Sequence, residues 1–182
     1  MISLRISIFI LFIFQSCKDL DEPSFNDLSN QESVKIVLAD YNLDQVPPQI
    51  KELSNAEELE IISDRKWKVY PPVSFFEIKE VSPPFKNLPD EITTLSKLKR
   101  LRVVDLNLRE LPKDFQKLEN LEELDLSFNK LQISNEMGKL RALPNLRHLN
   151  VVGNLVDTIE LKSWMKENQN LKIIFKLDIH TP

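Results

Sequence analysis

Glycine is almost absent from these 182 residues: Gly138 and Gly153 are the only two. No Gly-rich loop can bring several backbone N–H groups against a phosphate, which excludes P-loop and dinucleotide-type nucleotide sites. The single cysteine, Cys17, can neither close a disulfide within the chain nor build a thiolate zinc site, and two histidines, His148 and His180, are too few for a typical imidazole-ligated metal. No metal or cofactor is expected. Net positive charge is lacking too: 24 Lys and Arg stand against 28 Asp and Glu, a formal -4, so there is no basic footprint for nucleic acid. The one long apolar run, residues 6–14 broken by Ser7, is too short to span a bilayer. The length fits one domain.

That run follows Arg5 and ends in Phe14-Gln15-Ser16-Cys17, after which the chain turns polar at Lys18, Asp19, Asp21 and Glu22. A positive start, an apolar middle and a small residue at the end are the layout of a targeting segment. The junction resembles the lipobox of bacterial lipoproteins, with Ser16 as the small residue before the cut and Phe14 and Gln15 departing from the usual pattern. The resemblance implies that residues 1–16 are a signal peptide and that Cys17 carries the lipid anchoring the chain to a membrane. It also implies a bacterial cell envelope, at the outer membrane. The start Cys17-Lys18-Asp19-Leu20-Asp21-Glu22 is similar to short acidic signals that send some lipoproteins to the cell surface. Residues 17–32 then read as a tether ending in an N-terminal cap built on Phe25 and Leu28.

From Ser33 onward apolar residues recur at a fixed spacing, and the spacing itself recurs, as a solenoid requires. Leu98, Leu101, Val103, Leu108, Leu111, Pro112, Phe115 and Leu118 fall at positions 1, 4, 6, 11, 14, 15, 18 and 21 of one copy. The copies are 33–55, 56–74, 75–97, 98–120, 121–145 and 146–170, with 171–182 as a C-terminal capping strand. Positions 4 and 6 point inward while 3, 5 and 7 point out, so each copy lays one short strand in a parallel sheet. Pro47, Pro89 and Pro112 stop that strand and turn the chain back. The segment Leu121-Glu122-Glu123-Leu124-Asp125-Leu126-Ser127-Phe128-Asn129-Lys130-Leu131 resembles the leucine-rich-repeat family, whose unit is L-x-x-L-x-L-x-x-N-x-L. The resemblance implies an α/β fold: a leucine-rich-repeat solenoid with a curved parallel β-sheet on its concave face, an irregular or helical convex side, and about six repeats plus terminal caps. It implies a protein-binding role and no enzyme.

Several positions depart from the unit. Position 9 reads Tyr41, Asp64, Pro83, Leu106, Asn129 and Asn154, so only the last two copies carry the Asn that bonds the neighbouring turn. Glu80 falls at an inward position of the third copy, which predicts a bulge placing Val81 inward. The second copy is short and lacks Leu-Pro. Residues 159–168 read as a helix packing through Leu161, Trp164 and Met165. The tail begins like a further copy but puts Lys176 inward, and as the last strand it leaves a homodimer through its edge open.

The outward positions form columns on neighbouring rungs about 4.8 Å apart. Position 3 gives Lys35, Glu58, Glu77, Arg100, Glu123 and His148; position 5 gives Val37, Glu60, Lys79, Arg102, Asp125 and Asn150. Arg100 with Glu123, and Arg102 with Asp125, are then cross-strand pairs. Such pairs either neutralise one another or steer a charged protein partner onto the face. Position 7 is mostly apolar, including Ile62, Val104 and Val152, through strand propensity or as part of an interface. The candidate protein-binding residues are Glu58, Glu60, Lys79, Arg100, Arg102, Val104, Glu123, Asp125, His148 and Asn150. Trp67 and Tyr70 are candidate aromatic anchors, or core filling the short copy. His148 beside Glu123 raises acid–base chemistry, but no serine shares their register. Two functions follow: a membrane-anchored protein-binding module, or a structural envelope protein that self-associates.

Overall fold

The structure, a computed structural model, describes residues 24–41, 43–63 and 87–176. Six short strands run through it: β1 (Ser33–Val37), β2 (Glu58–Ile62), β3 (Arg100–Val104), β4 (Glu123–Asp125), β5 (His148–Asn150) and β6 (Lys172–Ile174). They form one parallel sheet in sequence order. The two-residue period of a strand sends Val34 and Ile36, Leu59 and Ile61, Leu101 and Val103, then Leu124, Leu149 and Ile173 to one side, where all are buried. At roughly 1.5–3 kcal/mol for each such side chain, this ladder is the main source of stability.

Backbone bonds hold the ladder in register. At four successive strand entrances one carbonyl accepts two N–H groups of the next coil: Glu32 O takes Glu57 and Glu58, Glu57 O takes Lys99 and Arg100, Lys99 O takes Glu122 and Glu123, and Glu122 O takes Arg147 and His148. On the convex side, the prolines at 47, 89 and 112 introduce 3-10 turns at Pro48–Glu52, Asp90–Thr94 and Phe115–Lys117. The carbonyls of Pro47, Pro89 and Pro112 accept from Ile50, Ile92 and Phe115 N. The last coils return instead through α1 (Ile133–Arg141) and α2 (Thr158–Glu167). Asp157 caps α2, its Oδ1 accepting from Ile159 N and Glu160 N at 2.8 and 3.2 Å. Leu161 and Trp164 are buried beneath that helix. Phe25 closes the β1 end of the core, its ring edge-on to Tyr41 at 5.4 Å.

Three registers differ from the sequence-based expectation. First, β2 pairs directly with β3, Glu58 with Arg100 and Glu60 with Arg102. These adjacent rungs are 42 residues apart in sequence, from Glu58 to Arg100, and the return turn Asp90–Thr94 packs on Pro48–Glu52. The backbone groups of β2 find their partners in β3, which leaves no rung between Glu60 and Arg102 for Lys79. Lys79, Glu80, Trp67 and Tyr70 lie outside the described residues. Second, β1 is displaced by two residues: Lys35 pairs with Glu60 and Val37 with Ile62. Val34 and Ile36 stack on Leu59 and Ile61, and the surplus is taken up after the strand by the turn Leu38–Tyr41. Third, β6 slips by one, because Ile173, not Ile174, pairs with Leu149. A one-residue slip exchanges the faces. Ile173 enters the core, and Ile174 and Lys176 are exposed.

The turn after each strand repeats a backbone conformation as well. Asp105, Phe128 and Gly153, which fall at the same position of three successive coils, have φ of 56°, 58° and 77°. A Cβ added to Gly153 comes within 3.1 Å of Phe128 Cα. Gly153→Ala is expected to cost about 1–2 kcal/mol, from left-handed strain and this contact. Thermal denaturation checks it, and a variant as stable as wild type would show that the turn relaxes freely.

Candidate interaction face

The outward residues of the six strands form two rows across the sheet. One runs Ser33, Glu58, Arg100, Glu123, His148, Lys172; the other Lys35, Glu60, Arg102, Asp125, Asn150, Ile174. In the second row, Glu60 Oε2 is 3.0 Å from Lys35 Nζ and Glu60 Oε1 is 2.9 Å from Arg102 Nη1, while Arg102 Nε reaches Asp125 Oδ2 at 3.7 Å. Four charges of alternating sign thus join across β1 to β4. In the first row Arg100 pairs with Glu58, not with the expected Glu123. The β2–β3 pairing puts a carboxylate on either side of Arg100, and the side chain takes the one on β2. At the strand entrance, Lys99 donates to Glu57 at 2.7 Å. This bond holds the Glu57 carboxyl below its ordinary range and raises Lys99. At least one partner of each pair is open to water, which screens the attraction.

Beyond β4 the pattern changes. Glu123, His148 and Lys172 are successive neighbours, yet none of the three side chains makes an ion pair or hydrogen bond with another described residue. An open depression of about 290 Å3 lies over this part of the sheet, lined by Arg100, Arg102, Glu123, His148, Lys172 and Ile174 among others. The third column is less open than its composition predicts: Val37, Ile62 and Val104 are half-buried and Val152 is buried. Glu123 and His148 share a register, with no hydrogen bond between them, and the serine of their row, Ser33, is on β1, three strands from Glu123. Ser127, two residues beyond β4, is buried, and its backbone N–H donates to Asp125 Oδ1 at 2.9 Å. Among the described residues no cluster of His, Cys, Asp and Glu is arranged to hold a metal.

Behind this face, polar side chains tie coil to coil. Asn129, one of the two regular asparagines, accepts from Leu106 N and Leu108 N at 3.0 and 3.2 Å and donates to Val103 O and Leu126 O at 2.7 and 2.8 Å. It thereby serves the turn of the preceding coil, whose own position holds Leu106. Asn154 accepts from Leu131 N and donates to Leu126 O in the same way. Two further devices escape a reading of the repeat unit. Asn55, Asn120 and Asn145 donate to Ser29, Ser96 and Glu119 carbonyls at 3.0, 2.7 and 2.8 Å. The available signal was an Asn just before the residue that opens a copy, at Ala56, Leu121 and Leu146. The other is Glu136 on α1, a buried carboxylate that accepts from Leu111 N at 3.3 Å and from Lys139 Nζ at 2.9 Å. Lys139 in turn donates to Leu111 O at 2.7 Å.

A family model described as "Leucine Rich repeats (2 copies)" matches residues 119–163, the stretch that holds β4, α1, β5 and the start of α2. Coils of 23 to 25 residues there each add one parallel strand and one convex return. This is a leucine-rich-repeat protein. The leucine-rich-repeat region is 30% identical over 145 residues to the flightless-1 homolog of Caenorhabditis elegans, covering 80% of this chain and 9% of that protein. It is 34% identical over 131 residues to a disease resistance protein of Arabidopsis thaliana, covering 69% of this chain and 10% of that protein. The chain thus spans about a tenth of the length of these curated relatives. In structure it is similar to a leucine-rich-repeat protein of Leptospira interrogans, with a TM-score of 0.49 and 19% identity, over 82% of this chain and 38% of that one. Leucine-rich-repeat domains are generally protein-interaction modules and typically not enzymes.

Proposed function

We propose that this leucine-rich-repeat chain binds a protein partner on the concave face of its sheet. The observation that carries the reading is the pair of outward rows, which lay eleven polar or charged residues, Ser33 to Lys172 and Lys35 to Asn150, over a six-stranded platform. Such a surface is too open to enclose a small substrate and carries the patterned charge that orients a protein encounter. The chain is held at a bacterial envelope membrane by a lipid on Cys17. Support for the anchor lies in the sequence, in Arg5, the apolar residues 6–14 and the Ser16-Cys17 junction.

The test is capture of a partner from envelope extracts by wild type and by the double variant Arg100→Glu with Arg102→Glu. Loss of capture with an unchanged circular dichroism spectrum is expected, because both reversals place like charges beside Glu58, Glu60 and Asp125 and invert the centre of the face. Unchanged capture would sink the concave-face reading. A second copy of the chain as the captured species would instead favour self-association through β6, the last strand of the sheet.

A further inference from the structure

The charges of the concave face are not evenly committed. On β1 to β3, Lys35, Glu58, Glu60, Arg100 and Arg102 all lie in ion pairs within the sheet. On β5 and β6, His148 and Lys172 have no such partner among the described residues, and Glu123 on β4 has none either. Asn150, beside them, uses its Oδ1 to accept from Val152 N at 3.2 Å and keeps its amide N–H groups to donate. Next in that row stands Ile174, 44% exposed. Unpaired donors, an open amide and a wetted apolar side chain thus meet at one end of the depression.

The sign of the charge selects the ligand. In the lining Arg100 and Arg102 are committed to Glu58, Glu60 and Asp125, which leaves Lys172 on β6 and Glu123 on β4 as the uncommitted charges, on a chain whose formal charge is -4. The β6 end of the depression, where the Lys172 ammonium stands beside His148, is therefore a locally cationic place on an acidic protein. The two carboxylates of the lining, Glu123 and Asp125, are both on β4, two rungs from the free ammonium, and a polyanion extending along the rows would meet them. A nucleic acid or an anionic lipid surface fits poorly. A single carboxylate next to an apolar side chain fits well.

We propose that the β5–β6 end of the concave face receives an acidic side chain of a protein partner together with a neighbouring apolar one, the carboxylate on Lys172, His148 and the Asn150 amide, the apolar group on Ile174. This rests on the concave face being the docking surface and assigns the position and chemistry of the docked segment. The carboxylate accepts charge-assisted hydrogen bonds from the ammonium and the amide, and the apolar neighbour covers an isoleucine that otherwise faces water.

The test is selection of a random heptapeptide display library on the full chain, followed by binding of the enriched peptides to variants. Sequences with Asp or Glu beside Leu, Ile or Phe are expected to enrich. Their binding should fall about tenfold or more with Lys172→Glu and with Ile174→Asp, both exposed positions that leave the fold intact by circular dichroism. Peptides with Lys in place of the acid should gain on Lys172→Glu. Enriched peptides that ignore both variants but are lost with Arg100→Glu and Arg102→Glu would overturn this assignment and leave the concave face as the docking surface. Peptides indifferent to all four changes would overturn both, and the absence of any enriched sequence would overturn the assignment.

Discussion

Asn129→Ala is expected to lower the free energy of unfolding by about 3–4 kcal/mol, read as a fall in the urea midpoint with an unchanged slope. The side chain is buried and satisfies both N–H groups of Leu106 and Leu108 while donating to Val103 O. Truncation to Ala leaves these groups in a space that is apolar on the core side, lined by Leu106, Leu108 and Leu126. Each buried backbone donor left without an acceptor costs about 1–3 kcal/mol. Asn154→Ala is the internal comparison. It is half-buried, its acceptor serves Leu131 N alone, and Leu126 O keeps Asn129 as a donor. A cost of about 1–2 kcal/mol is expected there. Equal losses in the two variants would mean that the Leu106–Leu108 turn finds other partners once Asn129 is gone.

Lys139→Met is expected to cost about 3 kcal/mol, although lysine is ordinarily among the most dispensable residues of a surface. Here the ammonium neutralises Glu136, whose side chain is only 5% exposed, and bonds the Leu111 carbonyl of the preceding coil. Removing it strands a carboxylate beneath α1. Changing both residues to Met should recover most of the loss, because a buried ion pair is worth little against an apolar pair of similar volume and its damage comes from being halved. Urea denaturation of wild type, Lys139→Met and the double variant gives the comparison. A double variant no more stable than the single one would show that the bond to Leu111, not the charge balance, is what matters.

Much of this architecture was legible because apolar spacing is set by backbone geometry, which repeats. Leu98, Leu101, Val103, Leu108 and Leu111 predict their own burial, and all five are in the core. The errors lie where a residue has a choice of neighbours. Arg100 stands between Glu58 and Glu123 at equal spacing along the row, and nothing in the residue types selects one of them. Ile173 and Ile174 are equally apolar, and only the position of β5 decides which enters the core. The segment opened by Phe75 and Ile78 has the spacing of a strand and lies outside the described residues, and nothing in that spacing tells that β2 pairs with β3. Glu136 was invisible for a different reason. A carboxylate on a helix is read as solvated unless the fold brings a backbone N–H such as that of Leu111 over it.

The 42-residue separation of Glu58 and Arg100 also gives the molecule an order of assembly. In a stack where each unit touches only its neighbours, structure can begin at any joint and spread, and the joints that close the shortest loops form first. Closing 42 residues in place of 23 costs about 0.5 kcal/mol more in chain entropy. The joint between β2 and β3 is thus expected to close after those on either side of it, and the Glu57 carbonyl, which takes both Lys99 and Arg100 N–H, is the clasp that joins the two parts.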